Sequence, residues 1–264
     1  MIRIEDAHLT FNPGTPIENR VLRGIGLTIE TGEFVTVIGS NGAGKSTLLN
    51  VIAGEYALSR GRVLVDDRDL TGMISADRAG LVARVFQDPR IGTCETLTIE
   101  ENLALAASRG IRRGLRPALN GSRRAAFREV LARLGLGLEA RLSDQMGLLS
   151  GGQRQAVSLL MATLNPMRIL LLDEHVAALD PGTAAFVLDL TRRLIDASGL
   201  TALMVTHSMR DALALGTRTV MLHEGQVVLD VSGPERAGMR VEDLVDRFRR
   251  RFGELDNDAL LLAR

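Results

Sequence analysis

The sequence predicts an α/β protein whose core is a mostly parallel β-sheet covered by helices. Short apolar runs such as "EFVTVIG", "RILLL" and "LTALMVT" alternate with helical segments along much of the chain. This alternation is typical of parallel sheets, because each crossover between parallel strands needs a helix or a long connection. The 264 residues are 45% hydrophobic, which is enough to bury one large core.

The N-terminal part is predicted to begin with strands and to continue into a loop and a helix. The runs "RIEDAHLTF" and "VLRGIGLTIE" alternate loosely between apolar and polar residues, as half-exposed strands do. The run "KSTLLNVIAG" predicts a helix that stops at Gly54. Further strands are expected at "GRVLVDD" and "LVARVFQ".

A mostly helical insert is predicted for about 97–165. Within it, "SRRAAFREVLARLG" predicts a helix that is capped by Ser122 and ends at Gly135. The alternation of strands and helices then resumes, and "VEDLVDRFRRRF" predicts a helix near the C-terminus.

Composition limits the classes of function. The formal net charge is +0, so bulk charge gives no attraction to nucleic acid. The single cysteine, Cys94, cannot form a disulfide within the chain, which fits a reducing compartment. No apolar run approaches the ~18 residues that would indicate a membrane span. We therefore expect neither a nucleic-acid partner nor a membrane-spanning segment.

The chain contains one lysine, Lys45, and it lies in a glycine-rich loop. Of the 32 Lys and Arg residues, the other 31 are arginines. The segment "GSNGAGKS" follows an apolar strand, opens a helix and fits the phosphate-binding pattern G-x-x-x-x-G-K-[ST]. In this pattern backbone N–H groups and the lysine contact phosphates, and the Ser46 hydroxyl contacts Mg²⁺. The predicted nucleotide-binding residues are Gly39, Ser40, Asn41, Gly42, Ala43, Gly44, Lys45, Ser46 and Thr47. This pattern predicts a P-loop NTPase without choosing among kinases, GTPases and motor ATPases.

A second candidate site is the end of the apolar run "RILLLDE". Asp173 at the end of this predicted strand could hold Mg²⁺, and Glu174 could orient and deprotonate an attacking water. Two solvated acids after a core strand are the alternative.

A third candidate is "LLSGGQRQ", which precedes a predicted helix. Ser150 can cap that helix, and Gly151 and Gly152 leave backbone N–H groups open at its positive end. The segment therefore predicts a second anion site, with an ordinary helix cap as the alternative.

In this order, the motifs resemble those of the ATP-binding subunits of ABC transporters over about residues 2–233. The resemblance identifies Gln87 in "VFQDP" as a glutamine that senses Mg²⁺ and water and couples to the permease. It identifies His207 as the contact to the γ-phosphate and Phe11 as the ring that stacks on the base. Without the resemblance, Gln87 would be interpreted as a polar loop residue, His207 as a histidine at a strand end and Phe11 as a core aromatic. The chain departs from the family at His175, where proline is common, and the effect on Glu174 is left open.

The resemblance also implies the fold and its division. The expected fold is an ABC-type P-loop ATPase with a RecA-like parallel-sheet core, an N-terminal antiparallel β subdomain and a helical insert. Residues 2–96 and 166–233 would form the core and β subdomain. Residues 97–165 would form the helical subdomain, which contains the family's signature motif "LSGGQ" at Leu149–Gln153. Residues 234–264 would form a C-terminal helix and tail.

The activity implied by the resemblance is hydrolysis of ATP with Mg²⁺ to drive solute transport across the bacterial inner membrane. The subunit would lie on the cytoplasmic face, as a homodimer bound to a permease that receives solute from an extracytoplasmic solute-binding protein.

Residues expected to act on the partner copy's ATP are Ser150, Gly151, Gly152, Gln153 and Asp180. The motifs look most like an importer group that is associated with aromatic amino acids. The alternatives are an exporter ATPase, a soluble ABC ATPase acting in translation or DNA maintenance, and a P-loop kinase, which would not explain "LSGGQ".

One further feature is a basic stretch. No acidic residue occurs between Asn102 and Arg128, and the arginines there are Arg109, Arg112, Arg113, Arg116, Arg123, Arg124 and Arg128. We hypothesise that this patch faces the permease or the anionic inner leaflet. The alternative is a solvated basic surface.

Overall fold

The computed structural model describes residues 1–111 and 117–252, in two compact units. The first unit combines Met1–Arg78 with the described residues from Gly199 onward. The second unit is Ala79–Ser198.

Some predicted features fall outside the described residues. These are Arg112, Arg113 and Arg116 of the basic stretch and the tail after residue 252. The predicted domain limits, with a helical subdomain at 97–165, stay a prediction.

The strands and helices predicted from the quoted runs are confirmed, except that α4 ends at Ala132, three residues before the predicted stop at Gly135. The strands are β1 (Ile2–Phe11), β2 (Asn19–Ile29), β3 (Phe34–Gly39), β4 (Arg60–Val65), β5 (Arg68–Asp69), β6 (Val82–Val85), β7 (Ile169–Asp173), β8 (Ala202–Val205), β9 (Arg218–His223) and β10 (Gln226–Ser232). The α-helices are α1 (Lys45–Ala53), α2 (Ser75–Arg78), α3 (Ile99–Ala107), α4 (Gly121–Ala132), α5 (Gly151–Thr163), α6 (Pro181–Ser198), α7 (Met209–Ala214), α8 (Gly233–Ala237) and α9 (Val241–Phe252). The sequence did not predict β5, α2 and α8, which are only two, four and five residues long.

The first unit begins with an antiparallel sheet in the order β2-β1-β4-β5. In β1, Ile2, Ile4 and Leu9 are buried while Arg3 and His8 are partly exposed. This alternation is expected of a strand with one face on the core. The sheet is the predicted N-terminal antiparallel β subdomain.

The first unit also contains four strands in the order β10-β9-β3-β8, and β3 runs parallel to both of its neighbours. Every residue of β3 is buried, which is typical of a parallel strand that is covered on both faces. Val37 of β3 pairs with Val205 of β8. The carboxyl ends of β3 and β8 therefore lie side by side, and the loops that follow them start at the same sheet edge.

Helix α1 ends as predicted at Gly54, whose φ of 82° is left-handed. Arg78 is only 2% exposed and donates to the carbonyls of Val51 and Ile52 in the last turn of α1. A cation at this end also complements the helix dipole. Arg78 therefore anchors the far end of the helix whose first residue is Lys45.

The second unit is built on the parallel pair β6 and β7, in which Val85 lies opposite Leu172. All of β7 is buried, as its apolar run predicts. Helices α3, α4 and α5 lie between the two strands in the chain, and α6 follows β7.

The start of α4 corrects one prediction. Asn120 is the N-cap, because its side chain accepts the Arg123 N–H at 2.9 Å. Ser122 lies inside the first turn and donates to Asn120 Oδ1 at 2.8 Å. Serine and asparagine are both good caps, and the more N-terminal of the two takes the position here. The assignment of Ser122 as the cap was wrong.

Candidate functional site

The loop between β3 and α1 has the chemistry of an anion site. Gly44 precedes α1 without a side chain that could cap it, and the first turn of α1 contains no acidic residue. Such a helix start presents backbone N–H groups and the positive end of the helix dipole. The loop therefore suits a phosphate.

At two positions of this loop, glycine is required both by the backbone conformation and by the lack of room for a Cβ. Gly39 has φ 151°, and a Cβ on it would lie 2.1 Å from the Leu222 carbonyl oxygen of β9. Gly44 has φ 95°, and a Cβ there would lie 2.9 Å from Leu22 Cδ2. A larger residue at either position would displace the loop from its neighbouring strands.

Lys45 is folded against the same loop. Its side chain is 5% exposed, and Nζ donates to the carbonyls of Gly39 at 2.8 Å and Ser40 at 3.0 Å. The ammonium is thus held where the loop can bring it to a bound anion.

His207 lies at the same sheet edge as this loop. It follows β8, and the adjacent Thr206 N–H donates to the Val37 carbonyl of β3 at 3.1 Å. Ser208 caps α7 by accepting the Asp211 N–H at 3.1 Å, which fixes the segment on the other side. The first unit therefore brings His207 and the glycine loop to the carboxyl ends of adjacent parallel strands, where open α/β sheets bind ligands.

Phe11 is half-buried at the end of β1. Its ring packs edge-to-face against Tyr56, with ring centroids 5.3 Å apart and an interplanar angle of 84°. Tyr56 remains 40% exposed. The stacking role of Phe11 stays a prediction, and the structure adds Tyr56 as a second ring in this position.

In the second unit, the predicted catalytic residues follow adjacent parallel strands. Asp173 ends β7, and Glu174 follows with a left-handed φ of 47°. Gln87 is exposed shortly after the end of β6. Because Val85 and Leu172 pair, the ends of the two strands lie together. The two carboxylates and the amide are thus brought to one edge.

The sequence did not predict the partner of Asp173. Arg84 Nη2 donates to Asp173 Oδ2 at 2.6 Å, and each side chain is 12% exposed. The guanidinium also lies over the Phe86 ring at 4.7 Å, a cation–π contact. An arginine inside the apolar strand "VARVF" was the available signal, although its partner lies 89 residues away. Arg84 orients the Asp173 carboxylate.

Ser150 caps α5, as predicted. Its side chain accepts the Gln153 N–H at 3.3 Å, and Gln153 Oε1 accepts the Ser150 N–H at 3.2 Å. This reciprocal pair is a capping box. Ser150 and Gly151 are exposed and Gly152 is buried, so the start of α5 is open to solvent through its cap and its first residue.

Helix α6 packs against that helix start. A Cβ on Gly152 would lie 2.0 Å from Thr183 Cγ2 of α6. Asp180 accepts the Thr183 N–H at 3.1 Å at the start of α6. Hydrogen bonds from Thr183 hold the pKa of the Asp180 carboxyl below its ordinary value. Asp180 therefore caps α6, whether or not it also acts across a dimer.

Two further side chains of α5 were not predicted and tie it to the segment after β6. Arg154 is 8% exposed and forms an ion pair with Glu95. Gln155 Nε2 donates to the Phe86 carbonyl at 3.1 Å, directly before Gln87. The helix that begins with the signature is therefore bonded to the loop that carries Gln87.

His175, which stands where the resembled family commonly has proline, is only 2% exposed. Burial lowers the pKa of His175 to about 4, so its ring is neutral at pH 7. It therefore places no positive charge beside Glu174. The ring bonds Thr191 of α6 instead, at 3.0 Å.

The described arginines of the basic stretch are partly engaged inside the second unit. Arg109 Nη2 donates to the Ala162 carbonyl at 2.8 Å. Arg124 makes a two-pronged contact to Glu100 at 2.8 and 3.0 Å. The ion pair with Glu100 offsets the charge of Arg124, and the bond to Ala162 holds Arg109 against the second unit; the proposed role of the patch stays a hypothesis.

Within residues 1–111 and 117–252, no helix combines the length and the apolar character needed to cross a membrane. The same residues form no group of three or more His, Cys, Asp or Glu side chains placed to hold a metal ion.

Comparison with known sequences gives a consistent family. The ABC transporter family matches residues 22–177. A tyrosine transport ATP-binding protein of Clostridioides difficile is 42% identical over 250 residues, which cover 94% of this chain and 98% of that protein. The aliphatic sulfonates import ATP-binding protein SsuB of Albidiferax ferrireducens is 39% identical over 210 residues, which cover 80% and 68% respectively.

Solved structures agree with the sequence relatives. A dimeric, post-hydrolysis state of the ATP-binding cassette MJ0796, bound to ADP and Pi, matches with a TM-score of 0.74 and 29% identity. The match covers 88% of this chain and 98% of that one. The predicted fold class, an ABC-type P-loop ATPase, is confirmed.

The contact between α5 and α6 predicts the effect of one added methyl group. Gly152→Ala should lower the free energy of unfolding by about 1–3 kcal/mol, because the methyl overlaps Thr183 Cγ2. Adding Thr183→Ser removes that Cγ2 and should restore most of the loss. Gly121→Ala is the matched control, since a Cβ there meets nothing within 4 Å. Urea denaturation gives the free energy of unfolding of the wild type and of these three variants. Equal values for Gly152→Ala and Gly121→Ala would contradict the close contact between Gly152 and Thr183.

Proposed function

Because the chain belongs to the ABC transporter family of ATP-binding proteins, we propose that it powers the import of tyrosine or a related aromatic amino acid. Family membership makes it an ATPase whose hydrolysis of ATP drives solute transport. The aromatic class rests on one observation. The tyrosine transport relative matches 94% of this chain, whereas the sulfonate relative matches 80%.

In the first unit, loop 39–46 is the proposed phosphate site. The open start of α1 and the buried Lys45 ammonium supply the N–H donors and the positive charge that the β- and γ-phosphates require. His207, at the same sheet edge, is the proposed contact to the γ-phosphate. Phe11 is the proposed stacking ring for the base, and its packing on Tyr56 supports this by holding the ring in place.

In the second unit, Glu174 is the proposed general base. It accepts a proton from a water whose oxygen attacks the γ-phosphorus, and the bond from that phosphorus to the β-phosphate oxygen breaks. Gln87, which follows the neighbouring strand, is the proposed second contact of this water. The position of Glu174 supports the assignment, because this half-buried residue follows β7 at the carboxyl end of the β6–β7 pair and a base must lie within hydrogen-bond reach of its water.

Mg²⁺ is the proposed cation, and the available donors fit it. The Ser46 hydroxyl, the Asp173 carboxylate and the Gln87 amide offer the hard oxygens that Mg²⁺ prefers. When bound, the cation neutralises charge on the phosphate oxygens. Arg84 supports this role by holding the Asp173 carboxylate in one orientation.

A homodimer is the proposed working form. At the start of α5, Ser150 and Gly151 are exposed at the positive end of the helix, where an anion can bind, yet this chain carries only one glycine loop. We infer that it closes on the ATP held by a second copy, with Asp180 at the same contact. The dimeric state of the MJ0796 cassette supports this arrangement.

The proposed partners are an integral permease and an extracytoplasmic solute-binding protein, with this subunit at the cytoplasmic face of the inner membrane. Both relatives are named for transport, and one of them for import. This favours an importer over an exporter or a soluble ATPase of translation or DNA maintenance. Solute choice would then lie in the partner proteins.

The aromatic substrate class can be tested in proteoliposomes that contain this subunit together with its permease and its solute-binding protein. Tyrosine should raise the ATPase rate severalfold, because a loaded binding protein favours the closed, hydrolysing state. An aliphatic sulfonate should leave the rate unchanged. Stimulation by the sulfonate alone would overturn the substrate class and leave the ATPase assignment intact.

Glu174→Gln tests the general base. The amide cannot accept the proton, so turnover should fall by about 100-fold or more while ATP binding persists. The ATP-bound dimer should accumulate and be visible by gel filtration. Glu129→Gln, at a side chain that is 73% exposed, is the matched control and should hydrolyse normally. Brisk hydrolysis by Glu174→Gln would rule out the base.

Lys45→Arg tests why the single lysine is retained. The charge is kept, but the planar guanidinium is wider than the ammonium that fits between the Gly39 and Ser40 carbonyls. Loss of a charged hydrogen bond of this kind should reduce ATP affinity or turnover by roughly tenfold or more. Arg20→Lys, at a side chain that is 71% exposed, is the control. A fully active Lys45→Arg variant would contradict the fit.

A further inference from the structure

The proposed scheme leaves a buried pair in the second unit without a role. His175 Nε2 lies 3.0 Å from Thr191 Oγ1, and the two residues are 2% and 0% exposed. His175 directly follows Glu174, and Thr191 lies in the middle of α6. The hydrogen bond therefore ties the residue next to Glu174 to helix α6.

The direction of this bond follows from its other contacts. The Thr191 hydroxyl has one proton, and it donates to the Val187 carbonyl at 2.8 Å. It must therefore accept from the histidine ring. The Nε2 atom of His175 therefore carries a proton and donates it to this bond.

Glu174 needs such a restraint. Its φ of 47° lies in the left-handed region, which is disfavoured for a residue with a Cβ. A residue keeps this conformation only where its surroundings hold it. Before Glu174 in the chain lies the buried strand β7, and the Glu174 carbonyl accepts the Ala177 N–H at 2.9 Å. Directly after Glu174 lies His175.

We infer that His175 is a positioning residue, whose bond to Thr191 fixes the turn that presents the Glu174 carboxylate. The inference rests on the proposed role of Glu174 as the general base. A proline here would restrain the turn through its ring. Histidine has no such ring closure, so a side-chain bond to α6 supplies the restraint instead.

Thr191→Val removes the acceptor with little change of shape, and His175→Phe removes the donor while keeping a ring. With the purified full chain and Mg·ATP, each should lower kcat by about 10- to 100-fold, because a base displaced slightly from its water loses rate steeply. KM for ATP should change by less than about twofold, since the phosphate-binding loop is untouched.

Conservative variants separate positioning from general stability. His175→Gln keeps an N–H at similar reach, and Thr191→Ser keeps the hydroxyl, so both should retain most of kcat. The double variant His175→Phe with Thr191→Val should be no slower than the slower single variant, because both remove the same bond. If His175→Phe does not fold, Thr191→Val and Thr191→Ser decide the question.

Glu174→Gln distinguishes the ways in which the inference can fail. If Glu174→Gln still hydrolyses ATP briskly, the base assignment fails and the positioning role falls with it. If Glu174→Gln is inactive while Thr191→Val keeps the wild-type kcat, only the positioning role is overturned. A kcat loss in Thr191→Val that Thr191→Ser shares, or one matched by an equal rise in KM, would also overturn it.

Discussion

A strand that is buried on both faces can present polar groups only where it ends, and this constraint governs the chemistry of both units. In the first unit, β3 runs directly into the glycine loop, and its parallel neighbour β8 leads to His207. In the second unit, β7 ends in Asp173, and its parallel neighbour β6 leads to Gln87. Parallel pairing aligns these ends, so in each unit candidate functional residues from distant parts of the sequence lie at one sheet edge without long loops.

Helix α6 links two functional features of the second unit. Near its start, Thr183 packs against Gly152 of the signature helix, and farther along Thr191 bonds His175 beside Glu174. The step of eight positions from Thr183 to Thr191 corresponds to about 12 Å of helix, a rigid distance. In the proposed dimer, the signature of one copy touches the ATP of the other. A shift of α6 on closure would then also move the turn that carries Glu174 of the same copy.

The sequence predicted what is encoded locally. The glycine loop, the Ser150 cap, the stop at Gly54 and the buried run of β7 each depend on residues within a few positions of one another. The pairs that orient the site are not local. Arg84 lies 89 residues from Asp173, and His175 lies 16 residues from Thr191. Strand register brings Arg84 to Asp173, and helix packing brings Thr191 to His175. No pattern of neighbouring residues specifies either pair. The prediction that Ser122 caps α4 failed for a different reason. Asn120 and Ser122 can both cap a helix and lie two positions apart, so the local pattern did not decide between them.

Burial alone does not explain the single lysine. Arg78 is buried more completely than Lys45, at 2% against 5% exposed, so this chain readily accommodates a guanidinium in its interior. Arg78 donates to carbonyls from several segments, including those of Met73, Val51 and Leu70, which together match a planar fork of five N–H donors. The glycine loop offers Lys45 the two adjacent carbonyls of Gly39 and Ser40. A small cation with three rotatable donors suits that narrow arrangement, and a loop that also admits phosphate, as proposed, has no room to surround a guanidinium.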